Sequence, residues 1–257
     1  MEYISGRLEM HKRKSGAVIR IHFIRHGKTI GNSKRQYIGS TDEPLCPEGV
    51  EALLQKKCSG MYPPERDIES TIFSSPMCRC VETARVLYPD LKIEVIDGFR
   101  ETDFGPFEGK TYEQLCRIPE YRNWIDSRGE EICPGMEKRS QMQKRCARAL
   151  EELIGKIVIE AEANQTGKED IPDLEQKPQD KQFVFIVHGG TIMALMQEFG
   201  IKETAPLELQ GQNPREVSGQ EADNYYQYQR DNGCGITCSL IKDYQAKFRL
   251  KWEGNIG

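Results

Sequence analysis

At 257 residues, with 37% hydrophobic and 30% charged positions, the chain has the composition of a soluble globular protein and not that of a disordered or fibrous one. Its formal net charge of −4 supplies no overall field for attracting nucleic acid, so any anion must be bound locally. The nine cysteines are odd in number, include no C-x-x-C pair and lack the spacing of a structural zinc site, which leaves reduced, mostly buried thiols as the plain expectation.

Residues 1–17 read as a flexible polar extension, with Met10 a candidate start and the basic run His11 to Lys14 lacking the apolar core of a signal peptide. No segment reaches the length of a membrane span. A cytoplasmic protein without membrane or nucleic-acid partners is therefore expected. From Val18 to Ile24 the residues are mostly β-branched or aromatic, and Gly27 breaks the run. This predicts a buried strand that delivers Arg25 and His26 to a sheet edge, where open parallel sheets bind ligands. A neutral imidazole attacks phosphorus well when a neighbouring cation screens the anionic substrate, and Arg25 is placed for that. Taken alone, the tripeptide favours a histidine that merely ends a strand.

Residues 31–47 read as a loop. Pro47 opens a helix with Val50, Leu53 and Leu54 on one face, and Glu69 to Phe73 is a second strand. Ser74-Ser75-Pro76 suggests a capping serine followed by proline at the first helical position. That placement puts Arg79 in the first turn, where it is either solvated or faces an anion together with the helix terminus. A strand at Lys92 to Ile96 leads to Glu101, Asp103 and Glu108 among Phe104, Phe107 and glycines. Desolvation there could make one carboxyl a proton donor, and three ordinary solvated acids fit equally well. Two short helices near Tyr112–Cys116 and Tyr121–Trp124 precede a long amphipathic helix over 137–162. Polar insertions are expected near 164–181 and 203–229 within a single domain, 18–257. The strand Lys181–Val187 ends in His188-Gly189-Gly190, repeating the pattern of apolar strand, histidine and glycine, and terminal strands follow at 235–241 and 246–252. The expected architecture is α/β and three-layered, a mostly parallel central sheet with helices on both faces.

Five separated blocks now stand in order: Arg25-His26-Gly27-Lys28-Thr29 with Asn32; Tyr37-Ile38-Gly39 through Asp42-Glu43-Pro44-Leu45; Ser74-Ser75-Pro76 with Arg79 and Thr83-Ala84; Glu101 with Phe104-Gly105 and Glu108-Gly109; and His188-Gly189-Gly190. Together they resemble the histidine phosphatase superfamily, the phosphoglycerate mutase-like fold. The resemblance implies that His26 is the nucleophile and forms a phosphohistidine. Arg25, Arg79 and His188 would hold the phosphoryl group, and Glu101 would protonate the leaving oxygen and then help activate water. It further implies Asn32, Thr29, Gly39, Ser40 and Gly189 as substrate contacts, a small phosphomonoester as the ligand, and no metal or other cofactor. The 37–45 block looks most like bacterial α-ribazole phosphatases of cobalamin synthesis. Phe107 stands where many relatives have Trp, and Cys133 to Lys138 matches the family only in part. A phosphoglycerate mutase-type phosphotransferase and a non-catalytic phospho-ligand binding module are the competing readings. If His26 attacks as neutral imidazole, activity should fall as pH drops through the histidine range.

Overall fold

Alternation in the two central strands divides the interior into two layers. The computed structural model describes residues 18–166, 180–201, 224–243 and 247–257. In β1 (Ile19–Arg25), Ile21 and Phe23 point to one side and Ile24 to the other. After β2 (Thr71–Ser74) and β3 (Lys92–Val95), β4 (Lys181–Val187) does the same, with Phe183, Phe185 and Val187 opposed to Val184 and Ile186. Such period-2 placement with both faces apolar is what a strand buried between two helical layers requires. The remaining strands are β5 (Gly235–Lys242) and β6 (Phe248–Ile256). The six strands lie in the order β3-β2-β4-β1-β5-β6. The β1–β4, β2–β3 and β2–β4 pairings are parallel, whereas β5 is antiparallel to both β1 and β6.

The helices in chain order are α1 (Ile30–Ser33), α2 (Pro47–Cys58), α3 (Cys78–Leu87), α4 (Tyr112–Leu115), α5 (Pro119–Asp126), α6 (Arg139–Thr166) and α7 (Gly189–Phe199). Leu53 of α2 and Cys80, Ala84 and Leu87 of α3 cover one face of the sheet. The stripe Met142, Cys146, Leu150, Leu153 and Ile157 of α6 joins Ile192, Leu195 and Phe199 of α7 on the other. Each of the leucine, isoleucine, methionine and phenylalanine side chains among them contributes roughly 1.5–3 kcal/mol by leaving water, so the two layers together fix the sheet. The expected three-layer, mostly parallel architecture is what forms. A smaller cluster of Phe107, Leu115, Tyr121 and Met136, with Tyr37, Phe104 and Trp124 against it, ties the 37–41 loop to the segment after β3. Within it the Tyr37 and Tyr121 hydroxyls are 2.6 Å apart.

Several local expectations change. The loop expected over 31–47 contains α1, because Thr29 and Asn32 form a reciprocal capping box. Helix α3 begins at Cys78 with Met77 as its cap residue, two positions later than Ser74-Ser75-Pro76 suggested. Ser74 ends β2, and its hydroxyl donates to Ser75 O. The linker expected from 164 begins inside α6, which continues to Thr166, and β6 runs on to Ile256. Residues 1–17, 167–179 and 202–223, which carry the expected extension and most of both polar insertions, lie outside the described residues.

Candidate active site

Parallel pairing places the ends of β1 and β4 side by side, with Arg25 opposite Val187. The next residue on each strand is a histidine. His26 N donates to Val187 O at 2.9 Å, and the His26 and His188 rings meet edge to face with centroids 5.2 Å apart. His26 is 4% exposed and His188 fully buried. The His26 Nδ1 lies 2.7 Å from Gly27 O, which can only accept, so Nδ1 carries the proton and Nε2 keeps its lone pair. His188 forms the cap of α7 and places Nε2 2.7 Å from Ser75 Oγ. The serine expected to cap α3 thus orients a histidine instead.

Two guanidinium groups complete the centre. Arg79 is 0% exposed, and its Nη1 and Nη2 donate to Thr41 O and Gly39 O at 2.8 and 2.9 Å. Arg25 donates from Nη1 to Arg230 O at 2.7 Å. The Nε atoms of both arginines are buried and have no hydrogen-bond partner among the described residues. A buried, unsatisfied cationic donor costs several kcal/mol unless an anion arrives, so the pair describes a prepared anion site. The terminus of α3 does not share in it. The Cys78 amide donates to Asp42 Oδ1 at 2.7 Å, so a carboxylate from the preceding loop already fills that helix end.

Glu101 approaches from the segment after β3. Its carboxylate accepts from Thr102 N at 2.9 Å and Gly190 N at 3.2 Å. Gly190 permits this contact, because a Cβ there would collide with Glu101 Oε1. A Cβ on Gly189 would lie 3.6 Å from the Arg25 guanidinium, so Arg25, Glu101 and the start of α7 converge. Of the expected substrate contacts, Thr29 is fully buried and its hydroxyl accepts from Asn32 N, which makes it the cap of α1. The amides of Gly39 and Ser40 are engaged by Glu108. Asn32 accepts through Oδ1 from Asn232 Nδ2 at 3.0 Å, which turns its amide nitrogen to the opposite side.

Two supporting residues were not singled out by the sequence reading in these roles. The Glu108 carboxylate accepts from the amides of Gly39, Ser40, Thr41 and Phe104 and from the Thr41 hydroxyl. It therefore holds the very loop whose carbonyl oxygens hold Arg79. Glu108→Gln would present an amide N–H to those amides, and kcat/KM is expected to fall about 10²-fold through misplacement of Arg79. Steady-state kinetics beside a circular dichroism spectrum checks this, and an unchanged kcat/KM would contradict it. Asn232 donates to His26 O at 3.2 Å, and Gly233 N donates to both Arg25 O and His26 O at 3.0 Å. The turn signal Asp231-Asn232-Gly233, one residue before β5, was the available clue, since β5 pairs antiparallel with β1 and so starts at its functional end.

The electrostatics keep both site histidines neutral. Burial, then Arg79 and Arg25, hold His26 well below the ordinary 6.5, and burial, His26 and the same arginines do so for His188. The acid loss of activity expected in the ordinary histidine range is accordingly moved to lower pH. His22, also lowered by burial, bridges Thr237 and Gln182 on the sheet. For these depressed groups the unfolded chain binds more protons than the folded one below its own pKa. Their stabilising contribution is complete above about 6.5 and is lost as pH falls toward the folded values. Urea unfolding should therefore show lower stability at pH about 5.5 than at about 7.5, whereas equal midpoints would contradict the neutral assignment.

Known proteins share sequence and fold with this chain. The uncharacterized phosphatase PhoE of Bacillus subtilis is 28% identical over 178 residues, 68% of this chain and 74% of that protein. The bifunctional protein Rv2228c of Mycobacterium tuberculosis is 29% identical over 143 residues, 54% of this chain, and the match spans only 38% of that relative's length. Among solved structures, the α-ribazole phosphatase of Shigella flexneri shares the fold with a TM-score of 0.63, at 16% identity, over 93% of this chain and 96% of that one. The Histidine phosphatase superfamily (branch 1) model matches residues 21–224, from the middle of β1 past the His188 turn, and the chain belongs to that family.

Proposed function

We propose that the protein is a metal-independent phosphomonoesterase that works through a phosphohistidine. The observation that carries this is the neutral His26, its Nδ1 held by Gly27 O and its Nε2 lone pair, like the Nε atoms of two buried arginines beside it, without a partner among the described residues. His26 Nε2 attacks phosphorus as the ester P–O bond breaks, and Glu101 gives its proton to the leaving oxygen. The Glu101 carboxylate then takes a proton from water, whose oxygen attacks phosphorus. The P–N bond breaks, releasing inorganic phosphate and neutral His26. Arg25 and Arg79 offset the charge on the transferred group in both steps, which is the main requirement of phosphoryl transfer.

The motif block around Gly39 and the fold shared with the Shigella enzyme make α-ribazole 5′-phosphate the first substrate to test. A phosphate-release assay with chelator present, across α-ribazole phosphate, sugar phosphates, phosphoglycerates and an aryl phosphate, tests the reaction class. Release of inorganic phosphate supports it. Transfer to a glycerate acceptor would make the protein a mutase, and binding without turnover would make it a phospho-ligand binding module.

A further inference from the structure

A cavity of about 550 Å³ opens beside Glu101 and the Gly39-Ser40 loop. Whatever is esterified to the phosphoryl group must extend from the Glu101 side, because that residue protonates the leaving oxygen. We propose that this cavity is the leaving-group subsite, and that it takes an uncharged, hydroxyl-bearing leaving group with an apolar surface. It disfavours one that carries a second phosphate or a carboxylate. This assignment rests on the phosphatase reading above.

The charge arrangement around the cavity supports it. Two cations line the space, Arg100 and Arg145, and each is ion-paired with a carboxylate. Arg145 makes a fork to both oxygens of Glu137, at 2.9 and 2.7 Å, and its Nη1 donates to Gly98 O and Arg100 O at 3.0 Å each. Those contacts occupy four of its roughly five N–H groups. Arg100 is ion-paired with Asp97 at 2.6 Å. Asp103 and Glu137 also line the cavity. With Arg145 paired to Glu137, Arg100 to Asp97 and Glu101 protonated, Asp103 is the lining charge left without a counter-ion among the described residues, so a second anion would meet an unfavourable field.

Hydroxyl groups, by contrast, find partners there. Asp103 Oδ1 accepts from Gly105 N at 2.8 Å and from Ser40 Oγ at 3.1 Å, while Oδ2 has no partner among the described residues and is an acceptor. Since the Ser40 hydroxyl gives its hydrogen to Asp103, its oxygen is an acceptor too. Met77 and Met136, 2% and 8% exposed, supply an adaptable apolar wall against which a ring can lie.

The test compares kcat/KM for a nucleoside 5′-monophosphate and a sugar monophosphate with that for 3-phosphoglycerate and a sugar bisphosphate, using wild type and Asp103→Asn. Wild type is expected to favour the uncharged leaving groups by about tenfold or more, and the substitution should narrow that ratio by raising turnover of the anionic substrates. The ratio should also shrink as salt is added. Preferred turnover of the anionic substrates by wild type, or a ratio untouched by Asp103→Asn, would overturn the leaving-group assignment while leaving the phosphatase reading in place. Absence of phosphate release from every substrate would overturn both.

Discussion

His26→Ala is expected to lower kcat by about 10⁴-fold or more while leaving the protein folded, because the other neutral imidazole at the site, His188, has its Nε2 engaged by Ser75 Oγ. The fold should survive for a geometric reason. His26 lies one residue beyond β1, its ring hydrogen-bonds among the described residues only to the adjacent Gly27 O, and its backbone bond to Val187 O is retained in alanine. The loss should appear in kcat with every phosphomonoester, since the nucleophile is common to all of them. A folded His26→Ala protein, judged by circular dichroism and a cooperative melt, that keeps more than a small fraction of turnover would remove His26 from the mechanism.

Arg79→Met should lower kcat/KM by about 10³-fold, the scale seen when one preorganised charge donor is removed from a water-poor site. Methionine approximates the volume of the buried stem without its charge. The same change should separate catalysis from ligand-linked stability. Arg79 is fully buried and its Nε is unsatisfied, so inorganic phosphate should bind the folded state and raise the melting temperature of wild type. At phosphate about 100 times its Kd the gain is about 2.7 kcal/mol, and Arg79→Met should lose most of it. Equal phosphate stabilisation in both proteins would show that the anion is held elsewhere.

The parts of this site that depend on local pattern were legible in the sequence. The apolar runs before His26 and His188, each cut by glycine, were enough to place both histidines at strand ends, because a buried parallel strand needs both faces apolar and its turn needs a small residue. The blocks around Arg79 and Glu101 carried the family resemblance. What could not be read was which distant group meets which. The α3 terminus is filled by Asp42, thirty-six positions before Cys78, so proximity in sequence misassigned it to Ser75 and to the anion site. Ser75 was free to contact His188, 113 positions later. Glu108 and Asn232 act on Arg79 and His26 through backbone amides and carbonyls, which leave no side-chain periodicity to recognise. The depressed histidine pKa likewise follows from burial next to two arginines, a tertiary fact.

Covalent capture of the intermediate bears most directly on the central claim. Protein mixed with a rapidly turned-over phosphomonoester and quenched in base should carry one base-stable, acid-labile phosphate on the peptide containing His26, and His26→Ala should carry none. Phosphate release with no label on that peptide, or label on another residue, would contradict nucleophilic catalysis by His26.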